Sequence, residues 1–230
     1  MQVGIILTPD ERSKSYLSKI INNKIKIDKI FFMNNNKSKE EYPIEVINES
    51  KKCGFDLSKS VIKILKENKL NYHEFDFLDI NRTELINCLK KSKLNYVIFT
   101  GGGILKEEVL NAGPKFIHFH PGITPKYRGS TCFYYSILNE DKCGVTAFIM
   151  EKQLDTGPVI YQKEFDKPQH EFVDEVYDPH IRGETLIDIF NKKILFEEDF
   201  HCKNQKNGET YYIIHPILKH IAILSCLKDA

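Results

Sequence analysis

Two histidines lie close together where a strand is expected to end. The segment runs from Phe116 to His120, carries His118 in between, and is stopped by Pro121-Gly122. Side chains two apart on a strand share a face, so His118 and His120 point the same way. Ligands of open parallel sheets bind beyond the carboxyl ends of the strands. Two imidazoles at such an end favour acid–base chemistry or ligand binding over a purely structural role.

A partner for these histidines is Asp155, in the turn Gln153-Leu154-Asp155-Thr156-Gly157-Pro158. An Asp in such a turn can simply bond its own backbone, and this structural interpretation stays open. A second interpretation makes His118, His120 and Asp155 the ligands of a hydrolytic metal ion. The other histidines lie at no recognisable ligand spacing, so we expect no metal.

A glycine-rich turn follows a second strand. Residues 96–99 read as a buried strand, and Thr100-Gly101-Gly102-Gly103 comes directly after it. Glycines let a planar ligand or a phosphate approach the backbone closely. The alternative is a tight strand-to-helix turn without a ligand. The glycine spacing and the place in the chain both differ from a dinucleotide-binding motif.

The elements that must position these residues alternate between strand and helix. Residues 3–7 predict a first strand, Thr8 predicts the cap of a helix, and residues 30–33 predict a second strand. This order indicates a parallel sheet covered by helices. Further strands are expected at 72–77, 96–99, 116–120, 145–150 and 159–162. Helices are expected around 61–65, at 81–89, as a short turn at 106–111, at 130–138, at 182–193 and after Pro216.

The composition is that of an ordinary soluble protein. Apolar residues make up 41% and charged residues 28%, and the net charge of +1 gives no strong field for nucleic acid or an anionic membrane. Six cysteines without a CxxC pair indicate free thiols in a reducing cytosol. No apolar run is long enough to span a bilayer, and residues 2–7 suit a strand better than a secretory signal. We therefore expect a cytoplasmic protein that binds neither nucleic acid nor a membrane.

From residue 96 to about residue 160, the chain resembles the catalytic core of the folate-dependent formyltransferases. The motifs that carry the resemblance are, in order, HPGITPKYRG, SILN, GVT and LDTGPVI. The family includes methionyl-tRNA, glycinamide ribonucleotide and sugar-nucleotide formyltransferases. The resemblance implies a Rossmann-like α/β core with a mostly parallel sheet, and 10-formyltetrahydrofolate as the formyl donor. We place this catalytic domain at residues 1–165, followed by a small mixed appendage at 166–230.

The resemblance also implies catalytic roles. The family uses Asn, His and Asp, with the Asn two residues before the His. His120 and Asp155 match the last two, whereas His118 occupies the place of the Asn. In such a site an amine attacks the formyl carbon, and the Asn and His donate hydrogen bonds to the oxyanion. His118 replaces the Asn only when its inward nitrogen carries a hydrogen.

A folate site and a substrate contact are implied as well. We predict that the pterin lies between residues 100–105 and 153–155. Backbone groups would bond its edge, and Ile104 and Leu154 would cover its faces. The predicted donor-binding residues are Thr100, Gly101, Gly102, Gly103, Ile104, Leu105, Gln153 and Leu154. Tyr127 and Arg128 are expected at the substrate, although Arg128 has the alternative of clamping the loop by bonding backbone carbonyls.

The acceptor amine is predicted by elimination. Methionyl-tRNA enzymes that resemble this core carry a further C-terminal barrel, whereas about 65 residues without a basic run follow the core here. Glycinamide ribonucleotide enzymes have a Gly-Ser-Asn phosphate loop where this chain has Thr8-Pro9-Asp10-Glu11. The expected acceptor is therefore a small nucleotide-linked amino sugar.

Three other functions and one structural question stay open. The functions are a formyltetrahydrofolate deformylase, the metal-dependent hydrolase, and an inactive binding module suggested by His118. The question concerns residues 211–214 and the final apolar helix. They either form the surface of a homodimer or cap the core.

Overall fold

A computed structural model of the protein describes residues 1–34, 41–196, 202–205 and 208–227. The chain divides into two compact units, Met1–His118 and Phe119–Ala230, which are described in turn. In the described part of the chain, no helix is both long and apolar enough to cross a membrane.

The first unit alternates strands and helices. Its elements are β1 (Val3–Leu7), α1 (Glu11–Asn22), β2 (Lys29–Met33), α2 (Ile44–Lys52), α3 (Val61–Glu67), β3 (His73–Phe75), α4 (Thr83–Lys90), β4 (Tyr96–Phe99), α5 (Glu107–Leu110) and β5 (Lys115–His120). The strands pair in the order β3-β2-β1-β4-β5, and each of these pairs is parallel. All five residues of β1 are buried, as expected of a central strand covered on both faces.

The start of α1 differs from the sequence-based expectation. Asp10, and not Thr8, is the cap, and its carboxylate accepts the backbone N–H of Ser13 at 2.8 Å. The Thr8 hydroxyl instead donates to Asp10 at 2.8 Å. A carboxylate is a stronger acceptor than a hydroxyl and complements the helix dipole, which explains why Asp10 and not Thr8 caps the helix.

The second unit contains a β-hairpin, two longer helices and short irregular elements. They are β6 (Arg128–Gly129), α6 (Cys132–Glu140), β7 (Lys142–Ile149), β8 (Val159–Asp166), a π-helical turn (Val173–Tyr177), α7 (Asp178–Asn191), a 3-10 turn (Ile194–Phe196), β9 (Thr210–Tyr211) and α8 (Pro216–Leu227). β7 and β8 pair antiparallel, while β6 and β9 form a short parallel pair. Strand pairing is thus mostly parallel, and the predicted α/β class is confirmed.

Two predicted boundaries in this unit were wrong by four residues. β8 continues to Asp166 instead of ending at 162, and its residues from Tyr161 onward alternate between half-buried and exposed, as in a strand with one solvent-facing side. α7 begins at Asp178, four residues before the predicted start at 182. The predicted boundary between the catalytic domain and the appendage coincides with the end of β8 and stays a prediction.

Candidate active site

His120 lies at the carboxyl end of β5 and is buried, with 2% of its side chain exposed. Its Nε2 lies 2.9 Å from the carbonyl oxygen of Tyr127, and its Nδ1 lies 3.4 Å from Oδ2 of Asp155. Because a carbonyl oxygen only accepts, Nε2 must carry the hydrogen of this bond. A neutral His120 therefore presents the lone pair of Nδ1 to Asp155.

Asp155 belongs to the loop between β7 and β8 and is 9% exposed. Its φ of 52° lies in the left-handed region, which costs a residue with a side chain some free energy. Oδ2 also accepts the backbone N–H of Gly129 at 2.8 Å. A strained backbone that is fixed by a hydrogen bond and faces a buried imidazole is typical of a preorganised site.

Glycines make the close approaches around Asp155 possible. Gly129 has a φ of 98°, and a Cβ placed there would lie 2.1 Å from the carbonyl oxygen of Tyr211. A Cβ at Gly157 would lie 1.7 Å from the carbonyl oxygen of Ile149. Both positions therefore need glycine for steric reasons alone.

The protonation of His120 follows from its surroundings. Burial lowers the pKa of His120, and the positive charge of Arg182 acts in the same direction. Asp155 opposes this by raising the pKa, as does the hydrogen bond to Tyr127, but the net shift is downward. At neutral pH the imidazole is thus uncharged and able to take up a proton.

Arg182 and Asp178 form a buried pair that the sequence analysis missed. Arg182 Nε donates to Asp178 Oδ1 at 2.7 Å, and Nη1 donates to the carbonyl oxygen of Phe119 at 2.7 Å. This pair fixes the peptide directly before His120. The two residues stand four apart on α7, a spacing that would have suggested the pair had the helix been predicted from Asp178.

Tyr127 and Arg128, the expected substrate contacts, are both buried. Arg128 Nε and Nη2 donate to Oε1 of Gln205 at 3.2 and 3.0 Å. Gln205 in turn donates to the carbonyl oxygens of Asp155 at 3.2 Å and Gly157 at 2.6 Å. Arg128 thus reaches the loop through Gln205, a residue for which the sequence contained no signal. The role of both residues at a substrate stays a prediction.

The glycine-rich loop lies in the first unit. Thr100 is buried and donates to the carbonyl oxygen of Ile6 at 3.1 Å, which ties the loop to the end of β1. Gly101 packs against the ring of Phe99, whereas a Cβ at Gly102 would meet no atom within 4 Å. Gly103 has a φ of 107°. The loop is therefore fixed at its start and open in its middle.

Asn81 fixes the far end of the same loop. Its Oδ1 accepts the backbone N–H of Lys106 at 2.7 Å, and its Nδ2 donates to the carbonyl oxygen of Ile104 at 3.1 Å. Leu105 is buried, while Ile104 is 80% exposed. In the second unit, Gln153 is exposed and Leu154 is 65% exposed. Ile104 and Leu154, the side chains predicted to cover the pterin, are thus both apolar groups exposed to solvent.

Residues 34–184 match a family model described as Formyl transferase, which is more than half of the chain. The chain belongs to the formyl transferase family. The methionyl-tRNA formyltransferase of Thermotoga maritima is 32% identical over 167 residues, which cover 69% of this chain and 52% of that protein. The chain thus spans about half the length of this relative. The family resemblance predicted from the motifs is confirmed.

Two solved formyltransferases share the fold. A sugar N-formyltransferase from Shewanella sp. FDAARGOS_354 has a TM-score of 0.60 at 17% identity, with 99% of this chain and 88% of that chain covered. An N-formyltransferase from Helicobacter canadensis, described in complex with folinic acid and dTDP-3-aminofucose, has a TM-score of 0.62 at 16% identity, with 99% and 80% covered. Both likenesses support the Rossmann-like formyltransferase fold.

His118 stands where the family resemblance implies an Asn. It lies on β5 two residues before His120 and is half-buried. As for the metal interpretation, no group of three or more His, Cys, Asp or Glu side chains comes together within the described ranges. The catalytic roles of His118, His120 and Asp155 are argued below as a proposal.

Proposed function

We propose that this formyltransferase moves a formyl group from 10-formyltetrahydrofolate to the amino group of a small acceptor, a nucleotide-linked amino sugar. The observation that carries the proposal is the buried His120, held between the Asp155 carboxylate at 3.4 Å and the Tyr127 carbonyl at 2.9 Å. A buried imidazole with a carboxylate partner is what an acyl transfer to an amine needs for its proton transfers.

The proposed formyl transfer exchanges one C–N bond for another and moves protons, and it needs no oxidant or reductant. The amine nitrogen forms a bond to the formyl carbon, and the bond between that carbon and the folate nitrogen breaks. The amine loses one proton, while the departing folate nitrogen gains one. A negative charge develops on the formyl oxygen in between and requires hydrogen-bond donors.

His120 and Asp155 take up the proton in this proposal. The lowered pKa of His120 leaves the imidazole neutral, and its Nδ1 lone pair faces Asp155. A proton that reaches this pair is stabilised by the carboxylate, because both side chains are buried. The Nε2 hydrogen is held by Tyr127 in the free enzyme and becomes an oxyanion donor once substrate replaces that carbonyl as its acceptor.

Two exposed apolar side chains support a planar donor. Ile104 and Leu154 are 80% and 65% exposed, and each lies in one of the two loops predicted to hold the pterin. The open space at Gly102 leaves room for a flat ring against the backbone. The Helicobacter canadensis enzyme, which was described with folinic acid, supports a folate donor by analogy.

The choice of acceptor is argued from the N-terminus of α1. A phosphate at a helix N-terminus uses free N–H groups. Here the Asp10 carboxylate already occupies this place and accepts from Ser13 at 2.8 Å, so it would repel a phosphate. This argues against glycinamide ribonucleotide. The solved sugar N-formyltransferases, which cover nearly the whole of this chain, support an amino sugar.

Methionyl-tRNA is the second candidate acceptor, because the relative from Thermotoga maritima is described as a methionyl-tRNA formyltransferase. The expectation that the chain binds no nucleic acid therefore stays a prediction. The two acceptors differ in a way that a single assay can separate.

The test supplies 10-formyltetrahydrofolate with a panel of nucleotide-linked amino sugars or with methionyl-tRNA. We expect an amino sugar to gain the mass of one formyl group while tetrahydrofolate appears in equal amount. His120→Asn should abolish both signals and serves as the matched control. Formylation of methionyl-tRNA alone would overturn the acceptor, formate release without an acceptor would favour a deformylase, and loss of activity with a chelator would favour a metal enzyme.

A further inference from the structure

The loop between β4 and α5, residues 100–106, is anchored at its start by hydroxyl groups. Thr100 Oγ1 donates its single hydrogen to the carbonyl oxygen of Ile6 at 3.1 Å. Ser13 Oγ lies 2.6 Å from Thr100 Oγ1, so Ser13 must supply the hydrogen of that bond. Because Thr100 and Ser13 are both buried, this end of the loop is fixed in the core of the first unit.

Asn81 anchors the other end of the loop with both groups of its side-chain amide. Its Oδ1 accepts the backbone N–H of Lys106 at 2.7 Å, and its Nδ2 donates to the carbonyl oxygen of Ile104 at 3.1 Å. Nδ2 also donates to Asp79 Oδ1 at 3.1 Å. The hydrogen bond from the backbone N–H of Asn81 lowers the pKa of Asp79, so this carboxylate is ionised at neutral pH and only accepts. Asp79 therefore sets the direction in which the amide points and leaves Oδ1 for Lys106.

Asn81 does not cap the helix that it precedes. An Asn close to a helix start usually accepts one of the free N–H groups of that helix. α4 begins at Thr83 with Arg82 as its cap, and no side chain forms the capping bond. The amide of Asn81 instead reaches residues that lie 23 and 25 positions further along the chain. Apart from the bond to Asp79, its side chain thus acts on the loop.

Between these two anchors the loop is open to solvent. A Cβ at Gly102 or at Gly103 would meet no atom within 4 Å, and Ile104 exposes 80% of its side chain. The position of Ile104 is therefore set by the bond from Asn81 to its carbonyl oxygen and by the buried Leu105 that follows. An exposed apolar side chain that is held through its own backbone is suited to cover a flat ligand.

We infer that Asn81 is a positioning residue for the formyl donor, because it holds Ile104 and the adjacent backbone groups where the pterin would lie. The inference rests on the proposed donor position at residues 100–105. A loop that samples many conformations binds its ligand more weakly, in proportion to the fraction of the competent conformation. Asn81 raises that fraction before the donor arrives and thereby lowers the cost of ordering the loop on binding.

The test replaces Asn81 by Leu, which has a similar size and cannot form either bond to the loop. Asn87→Leu is the matched control, because Asn87 is exposed on α4. We expect Asn81→Leu to bind a non-reactive folate analogue about tenfold more weakly in calorimetry. Hydrogen exchange of residues 101–105 should become faster in the protein without the analogue, and the control should match the wild type in both measurements.

Kinetics separate a positioning role from a merely structural one. In Asn81→Leu the KM for 10-formyltetrahydrofolate should rise about tenfold, in line with the affinity, while kcat and the KM of the acceptor change less. A structural role would instead lower the thermal unfolding temperature and affect the three kinetic constants together.

Asp79→Ala tests the same connection from outside the loop and takes the place of Asn81→Leu should that variant fail to fold. Because Asp79 acts through Asn81, Asp79→Ala should weaken analogue binding less than Asn81→Leu and add nothing to it in the double variant. Unchanged affinity in Asn81→Leu, or in Asp79→Ala where only that variant folds, would overturn the inference alone. A wild type that binds no folate analogue would overturn the proposed donor, and the inference with it.

Discussion

At the scale of single residues, His118 raises the first question. His118 stands where the resemblance implies an Asn, and the two side chains differ in one physical respect. An amide always has N–H donors, whereas an imidazole donates from a given nitrogen only in one tautomer or when protonated. We propose that His118 supplies the oxyanion donor that the resemblance assigns to the Asn, and this donor depends on the tautomer or protonation of its imidazole.

This difference leads to a prediction on two variants. His118→Ala should lower kcat by about 10²–10³, with a smaller effect on KM, because one preorganised donor is lost in the transition state. His118→Asn should keep much more activity and lose the part of the pH dependence that a second imidazole produces. Steady-state kinetics over pH tests both. If the alanine variant turned over like the wild type, His118 would have no catalytic role.

His120 gives a prediction on stability. Burial lowers its pKa in the folded protein, while in the unfolded chain it stays near the ordinary value of about 6.5. The unfolded state therefore binds more protons below this pH, so the stabilising contribution is present above about pH 6.5 and is lost as pH falls toward the folded-state value. Urea unfolding at about pH 7.5 and about pH 5.5 measures the decrease. His120→Gln, which has no titrating group, should show a smaller decrease, and an equal one would refute the assignment.

At the level of elements, the loop between β7 and β8 depends on a residue far away in the chain. Gln205 bonds the carbonyl oxygens of Asp155 and Gly157 and also accepts from Arg128. Its side chain thus connects the β6 strand to the Asp155 loop. Sequence reasoning could not find it, because a glutamine in a polar stretch has no local pattern and its partners lie 48 to 77 residues away in the chain.

We expect Gln205→Ala to lower the free energy of unfolding by about 1–3 kcal/mol, since two hydrogen bonds to backbone carbonyls are lost. It should also lower kcat by at least about tenfold, because Asp155 loses its support. Gln169→Ala is the matched control, as Gln169 is exposed. Equal stability and activity in the two variants would show that Gln205 does not position the loop.

The glycine-rich loop allows a test of donor binding that is separate from folding. A Cβ at Gly102 meets nothing within 4 Å, so Gly102→Val should fold normally. If the donor lies against this backbone, the added side chain should weaken binding of a non-reactive folate analogue at least about tenfold. Calorimetry would measure the affinity and thermal unfolding the stability. Unchanged affinity would mean that the glycines serve only the turn.

At the scale of the whole molecule, the sequence predicted the order of elements better than their ends. The strand that carries His118 and His120 and the strand before Thr100 were found because apolar runs followed by turn residues are local signals. α2 (Ile44–Lys52) was missed, because only Val46 and Ser50 of its residues are buried and its pattern is therefore weak. We expected from the family resemblance that His120 and Asp155 would face each other. The pair of Asp178 and Arg182 was missed because α7 was predicted to begin only at residue 182. Gln205 depends on packing that no local pattern encodes.

The hydrogen bond between His120 and the Tyr127 carbonyl has a consequence for spectroscopy. Nε2 of His120 lies 2.9 Å from the carbonyl oxygen of Tyr127, and the His120 side chain is only 2% exposed. A hydrogen that is both bonded and shielded from water exchanges slowly, so it should give a resolved proton resonance far downfield of the backbone amides. That resonance would report directly on the imidazole, and its shift on adding an amine would show when the carbonyl has been exchanged for substrate.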